Sequence, residues 1–149
     1  MSASAEAMSA TGSSGAGQGA MSANWGASLG LANIWVAMIA FAAAAILGLY
    51  QVAERAGFAL NSPELYFGSV STHGVLMGFV LTTFLIVGFG YYSATTSLKM
   101  DVWNKPLAWF GFWLSLIGVL TAAIPLLTGN ASVLFTFYPP LQAHPAFYI

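Results

Sequence analysis

The sequence predicts an all-α membrane protein: three transmembrane helices behind a disordered N-terminal tail, followed by an interfacial segment on the outer surface. The first observation behind this is composition. Of 149 residues, 58% are hydrophobic and 5% are charged, and the mean hydropathy is +0.79. Soluble domains carry about 25% charged residues, so this chain lacks the polar side chains to cover itself in water. The second is arrangement. Apart from Glu6, every charge falls in residues 53–64 or 93–105, and the runs between them are apolar. A run of about 20 apolar residues crosses a hydrocarbon layer of about 30 Å as a helix.

The same composition excludes other classes. A net charge of −1 gives no electrostatic footprint for a nucleic acid. With no cysteine there is no disulfide framework, thiolate metal site or iron–sulfur cluster. A metal centre in this chain must draw on His, Met, Tyr or carboxylate.

Residues 1–28 are rich in Ala, Ser and Gly. They cannot bury enough area to offset ordering and read as a flexible tail, and without Lys or Arg they are no signal peptide. Residues 29–149 form the membrane domain. Its first span, about 31–52, has Trp35 and Tyr50 near its ends, where aromatic rings favour the interface. The run Ala42-Ala43-Ala44-Ala45 offers a smooth surface for close helix packing. Asn61-Ser62-Pro63 resembles a helix N-cap.

The second span, about 66–92, is longer than a bilayer requires and so tilts or protrudes. At about 100° per residue, Tyr66, Ser69, Val70, Met77, Val80 and Phe84 share a face with His73, while Gly74 and Gly78 form a small-residue pair on the adjacent face for helix packing. Pro106 opens the third span, about 106–127, at a position helices tolerate, and Pro125 loosens its final turn. Lys99 and Lys105 make the loop between spans two and three the most basic part of the chain, which puts it and the N-terminus on the cytoplasmic side of the cell (inner) membrane. Residues 133–148 are aromatic, too short to span and split by Pro139, Pro140 and Pro145, and so form the outer interfacial segment. The chain stops at Ile149 in mid-run and reads as a piece of a longer protein.

His73 is the residue that carries chemistry. An ionisable side chain inside a span is costly and marks function, and imidazole is a common heme ligand. The competing reading is a histidine that only bonds a carbonyl of a neighbouring helix. A ligating His has its second nitrogen fixed by a partner, for which Ser69 or its carbonyl is the candidate. Met77, one turn on, is packing rather than a second ligand, because both side chains come from one helix. His144, the only other histidine, sits in the interfacial segment on the same side of the membrane, so a bis-histidine heme within the chain stays open. Tyr138 beside its Pro-Pro pair reads from physics alone as an aromatic anchor.

The stretch Ser71-Thr72-His73-Gly74-Val75-Leu76-Met77-Gly78-Phe79 resembles the pattern around the low-spin heme ligand of heme–copper oxidase subunit I, and Leu134-Phe135-Thr136-Phe137-Tyr138-Pro139-Pro140-Leu141 resembles that family's Tyr-Pro-Pro segment after the third span. The resemblance runs from about Asn33 to Ile149. Gly129-Asn130-Ala131-Ser132 followed by Val133-Leu134-Phe135-Thr136-Phe137-Tyr138 is most similar to the B-type (ba-type) branch. Asp101 is followed by Val102 and Trp103, unlike the Asp-Met-Pro pattern of the D proton channel in A-type enzymes, so it is not given that role.

The resemblance implies that His73 is an axial ligand of a low-spin heme of b or a type, fed by cytochrome c or a small copper protein. It also implies that Tyr138 lies near the heme region or the oxygen route. It brings with it the remainder of subunit I, the other oxidase subunits, membrane lipid and no nucleic acid as partners. The family's remaining histidine ligands, for the high-spin heme and copper, have no counterpart here, so those cofactors are expected only in the complete subunit, and this chain alone neither reduces oxygen nor pumps protons. Two alternatives stay open: a structural membrane subunit without cofactor, and a small b-type electron-transfer protein using His73 and His144.

Overall fold

The computed structural model describes residues 3–58, 62–128, 130, 142, 144 and 145, with side chains from Trp25 onward. It contains helices α1 (Ala3–Arg55), α2 (Pro63–Val75), α3 (Thr82–Leu98) and α4 (Lys105–Leu127), with a π-helical turn, Leu76–Leu81, joining α2 to α3. Three segments are long and apolar enough to cross a membrane: Trp25–Arg55, Pro63–Leu98 and Lys105–Leu127. Among the described residues there is no strand. The chain is a multi-pass membrane protein, as its composition predicts. Of the tail expected over residues 1–28, most side chains lie outside the described residues, as do Tyr138 and all of the interfacial segment except Gln142, His144 and Pro145.

Helix ends follow local chemistry. Gly57, at φ 90°, closes α1 with its N–H on the Glu54 carbonyl at 3.2 Å, while the Phe58 N–H reaches the Ala53 carbonyl at 3.2 Å. This pairing satisfies carbonyls that a helix end leaves open, and the left-handed backbone it needs suits glycine. Pro63 follows the cap residue Ser62 at the start of α2. Asn104 caps α4, its side chain accepting from the Leu107 N–H at 3.1 Å.

The first and second spans exceed the sequence expectation at the end of the bundle where α4 begins. Trp25 and Gly26 already pack there: the Lys105 ammonium lies 5.9 Å from the centroid of the Trp25 ring and pairs with Asp101 at 2.5 Å. The helix also continues past Tyr92 because Thr95 and Thr96 fold their hydroxyls onto the Tyr91 and Tyr92 carbonyls, at 2.8 and 2.6 Å, which keeps polar residues compatible with helix.

Helix α1 packs antiparallel along the continuous α2–π–α3 rod. Its contact seam is Gly26, Gly30, Asn33, Ala37, Ala40, Ala44 and Gly48, spaced by threes and fours like a coiled-coil seam. All but Asn33 are Gly or Ala, which lets the backbones come close and gain dispersion where lipid offers no hydrophobic drive. The approach is tightest at Gly30 and Gly88. A Cβ added to Gly88 would lie 2.8 Å from the Gly30 carbonyl oxygen and 2.9 Å from Asn33 Cβ. Buried Asn33 satisfies its amide by donating to the Leu29 carbonyl at 2.9 Å.

The Gly74–Gly78 pair therefore does not have the packing role expected of it: a Cβ on Gly78 would meet nothing within 4 Å. The reason is the π turn. In an unbroken α-helix, sixteen residues rotate the chain about 160° past whole turns, which would put Thr72 and Gly88 on nearly opposite sides. One wide turn takes up an extra residue and so removes about 100° of that rotation, and Thr72, Val80, Phe84 and Gly88 are all buried. Thr82 Oγ supports the turn by donating to the Gly78 carbonyl at 2.6 Å.

Helix α4 leans on this pair through Phe112, which meets Phe84 edge-to-face at 6.3 Å and Trp109 at 5.6 Å and joins a core of Leu29, Ala37, Ala40, Val80 and Phe84. Much of its remaining surface is exposed apolar side chain, including Phe110, Leu114, Ile117 and Leu120.

Candidate functional site

His73 lies in the third turn of α2, about 15 Å along the helix from Pro63 at ~1.5 Å per residue, and its ring is half-buried against α1. Nδ1 is 2.8 Å from the backbone carbonyl oxygen of Ala44. A carbonyl only accepts, so Nδ1 carries the proton, and in the neutral ring Nε2 keeps its lone pair. The carbonyl contact and the remaining lone pair thus fall to different nitrogens of one ring.

The partner differs from the one expected. Ser69 donates its hydroxyl to the Tyr66 carbonyl at 2.7 Å, and Thr72 donates to the Gly68 carbonyl at 2.9 Å. The hydroxyls beside His73 serve their own helix, and the imidazole is held from α1 instead. Ala44 is fully buried. One turn further along α1, Gly48 lies so close that an added Cβ would stand 3.2 Å from His73 Cε1 and 3.6 Å from Nδ1. Sequence reasoning missed both residues as parts of the site. The signal was the spacing of small residues through Ala37, Ala40, Ala44 and Gly48 at positions facing the histidine-bearing span.

At the same end of the bundle, Arg55 Nε donates to the Tyr66 hydroxyl at 2.8 Å and ties the first loop to the start of α2. Helix α4 ends here too: Leu126 and Leu127 share with Thr72 and Val75 an apolar cleft of about 470 Å³. His144 is exposed, with its backbone N–H on the Asn130 carbonyl at 2.9 Å just beyond α4. Tyr138 lies outside the described residues.

Among the described residues no group of three His, Cys, Asp or Glu could hold a metal ion. The donor set around His73 is one neutral imidazole nitrogen, fixed in tautomer from behind. Such a donor could hold a heme iron, for which the porphyrin would supply most of the ligands, and it does not fit a protein-only metal centre.

Residues 28–149 match the family described as Cytochrome C and Quinol oxidase polypeptide I. The chain is 40% identical over 86 residues to cytochrome c oxidase subunit 1 of Thermus thermophilus, a match covering 58% of this chain and 15% of that protein. It is also similar to a chain of a heme–copper terminal oxidase dimer solved by cryo-electron microscopy, with a TM-score of 0.74 and 33% identity over 83% of this chain and 22% of that one. The chain thus spans less than a quarter of the length of these relatives.

Proposed function

Given that this chain belongs to the cytochrome c and quinol oxidase polypeptide I family, we propose that it forms the His73-bearing part of the catalytic subunit of a respiratory terminal oxidase and gives one axial ligand to a low-spin heme. The observation that carries this reading is the 2.8 Å contact between His73 Nδ1 and the Ala44 carbonyl, which leaves Nε2 as the free donor. Helix α1 orients the ring. A low-spin heme held there supplies one-electron transfer. The iron's further protein ligand would come from outside this chain, as would the high-spin heme, the copper and the residues that move protons for oxygen reduction.

The reading extends to partners and orientation. The remainder of subunit I and the other oxidase subunits complete the site, with cytochrome c or a small copper protein as donor. Similarity to the Thermus thermophilus subunit, together with the Gly129–Ser132 pattern, supports the B-type branch. Lys99 and Lys105 support a cytoplasmic N-terminus. Tyr138 is assigned to the heme region or the oxygen route on its motif alone.

A bis-histidine site within the chain is the second reading, favoured by the position of His144 at the end of the bundle where α2 begins. Reduced-minus-oxidised spectra of the chain alone and of the chain assembled with the rest of the subunit separate the two. The proposal expects heme bands only after assembly. Bands from the chain alone that vanish in His144→Ala would replace it with the second reading, and no bands in either state would leave a structural subunit.

A further inference from the structure

We propose that Gly48 is a positioning residue for His73, acting by uncovering the Ala44 carbonyl so that the imidazole can bond it. The inference rests on the reading of His73 as a heme ligand and adds what sets that ligand's orientation and electron-donating strength.

Each Cα–Cβ bond in an α-helix tilts toward the N-terminus, so the side chain at position i+4 leans over the carbonyl at position i. The Ala44 carbonyl lies one turn below Gly48 within α1, and in α1 it is already the acceptor for the Gly48 N–H. Its second lone pair points outward. At Gly48 no side chain covers it, and His73 Nδ1 occupies the vacated direction at 2.8 Å. A Cβ at position 48 would lie 3.2 Å from Cε1 and 3.6 Å from Nδ1, closer to the ring carbon than carbon atoms ordinarily approach, about 3.5–4.0 Å. The ring would have to give way by a few tenths of an ångström, away from its acceptor. The backbone oxygen itself has no side chain to mutate, so the choice of residue at 48 is how the sequence controls this contact.

The consequence is electronic as well as steric. An imidazole that donates from Nδ1 is a more basic ligand at Nε2, and partners of this kind shift metal affinity by about 10–100-fold. Stronger donation stabilises the oxidised iron. Weakening the bond through Gly48→Ala therefore moves the low-spin heme toward the reduced form, by about tenfold in the reduction equilibrium, which for one electron is about 59 mV upward.

The test uses the assembled oxidase carrying Gly48→Ala, Gly90→Ala or His73→Ala, with the low-spin heme followed by its reduced-minus-oxidised band and by redox titration. A Cβ at Gly90 meets nothing within 4 Å, so that variant controls for the Gly-to-Ala change itself. The expected result is a retained but displaced band and raised potential in Gly48→Ala, no change in Gly90→Ala, and loss of the band in His73→Ala. A Gly48→Ala enzyme with wild-type band and potential overturns the positioning role while the ligand reading stands. A retained band in His73→Ala overturns both. Should Gly48→Ala fail to accumulate, nitrogen-15 NMR of the heme-free full chain in lipid discs decides. With His144→Gln removing the other histidine, the Nδ1-protonated tautomer supports the inference and the Nε2-protonated tautomer overturns it.

Discussion

Adding one methyl group at Gly88 sets two opposing terms against each other. Alanine is favoured over glycine in a helix by about 1 kcal/mol, so on an open surface the change stabilises. At Gly88 the new Cβ would lie 2.8 Å from the Gly30 carbonyl oxygen and 2.9 Å from both Asn33 Cβ and Ile34 Cγ1, against ordinary contacts of about 3.5–4.0 Å. Helices α1 and α3 would have to part by roughly 0.7 Å, and a gap of that size forfeits a quarter to a half of each nearby contact. Overpacking of this kind costs about 1–3 kcal/mol. The net expectation is a loss of about 1 kcal/mol, whereas Gly90→Ala, with nothing within 4 Å of its Cβ, gains up to about 1 kcal/mol. Equilibrium unfolding in mixed micelles with rising dodecyl sulfate, followed by far-ultraviolet circular dichroism, measures both. Equal stabilisation by the two variants would refute the close crossing at Gly30 and Gly88.

The loop between α3 and α4 and the π turn are testable as well. Burial pushes the Asp101 carboxyl up, but the Lys105 hydrogen bond and charge, with the Val102 and Gly26 amides, hold it below its usual 3.8. A depressed folded value contributes stability above the unfolded value and loses it as pH falls through the folded one. Wild type should therefore lose thermal stability below about pH 4 by more than Asp101→Asn does. Because Lys105 is 42% exposed, the pair is worth less than about 1 kcal/mol at neutral pH; melting temperatures across the acid range check both points. Deleting Phe79, inside the Leu76–Leu81 turn, should remove the extra residue that the turn takes up and restore continuous α-helix with His73 kept in phase with Val80 and Phe84. The low-spin heme band should then be retained in the assembled enzyme, and its loss from a subunit that still inserts would show that the turn does more than take up one residue.

The spans were legible because an uncharged apolar run of about 20 residues suits a bilayer and little else, and Pro106 and Ser62-Pro63 marked two helix starts correctly. Where helices ended was less legible. Hydropathy falls at Ser93 and before Leu31, yet Thr95 and Thr96 satisfy their hydroxyls on their own helix, and Trp25 is held by Lys105. The π turn left no mark in the apolar pattern, since hydrophobicity does not record which carbonyl an amide chooses; Gly78 and Thr82, bonded at 2.6 Å, are its nearest trace. That hidden turn is also why glycines at 74 and 78 looked like the packing pair while Gly88 meets Gly30. For the site, His73 stood out because an ionisable group in a span is rare. Its partner did not, because a backbone carbonyl is present at every position, and only the missing side chain at Gly48 distinguishes the one at Ala44.

The decisive measurement is the reduced-minus-oxidised spectrum of the assembled complex with His73 replaced by alanine. The account predicts that the low-spin heme band disappears while the subunits still assemble. A spectrum identical to wild type would mean that this imidazole only ties α2 to α1, and the ligand would have to be sought elsewhere.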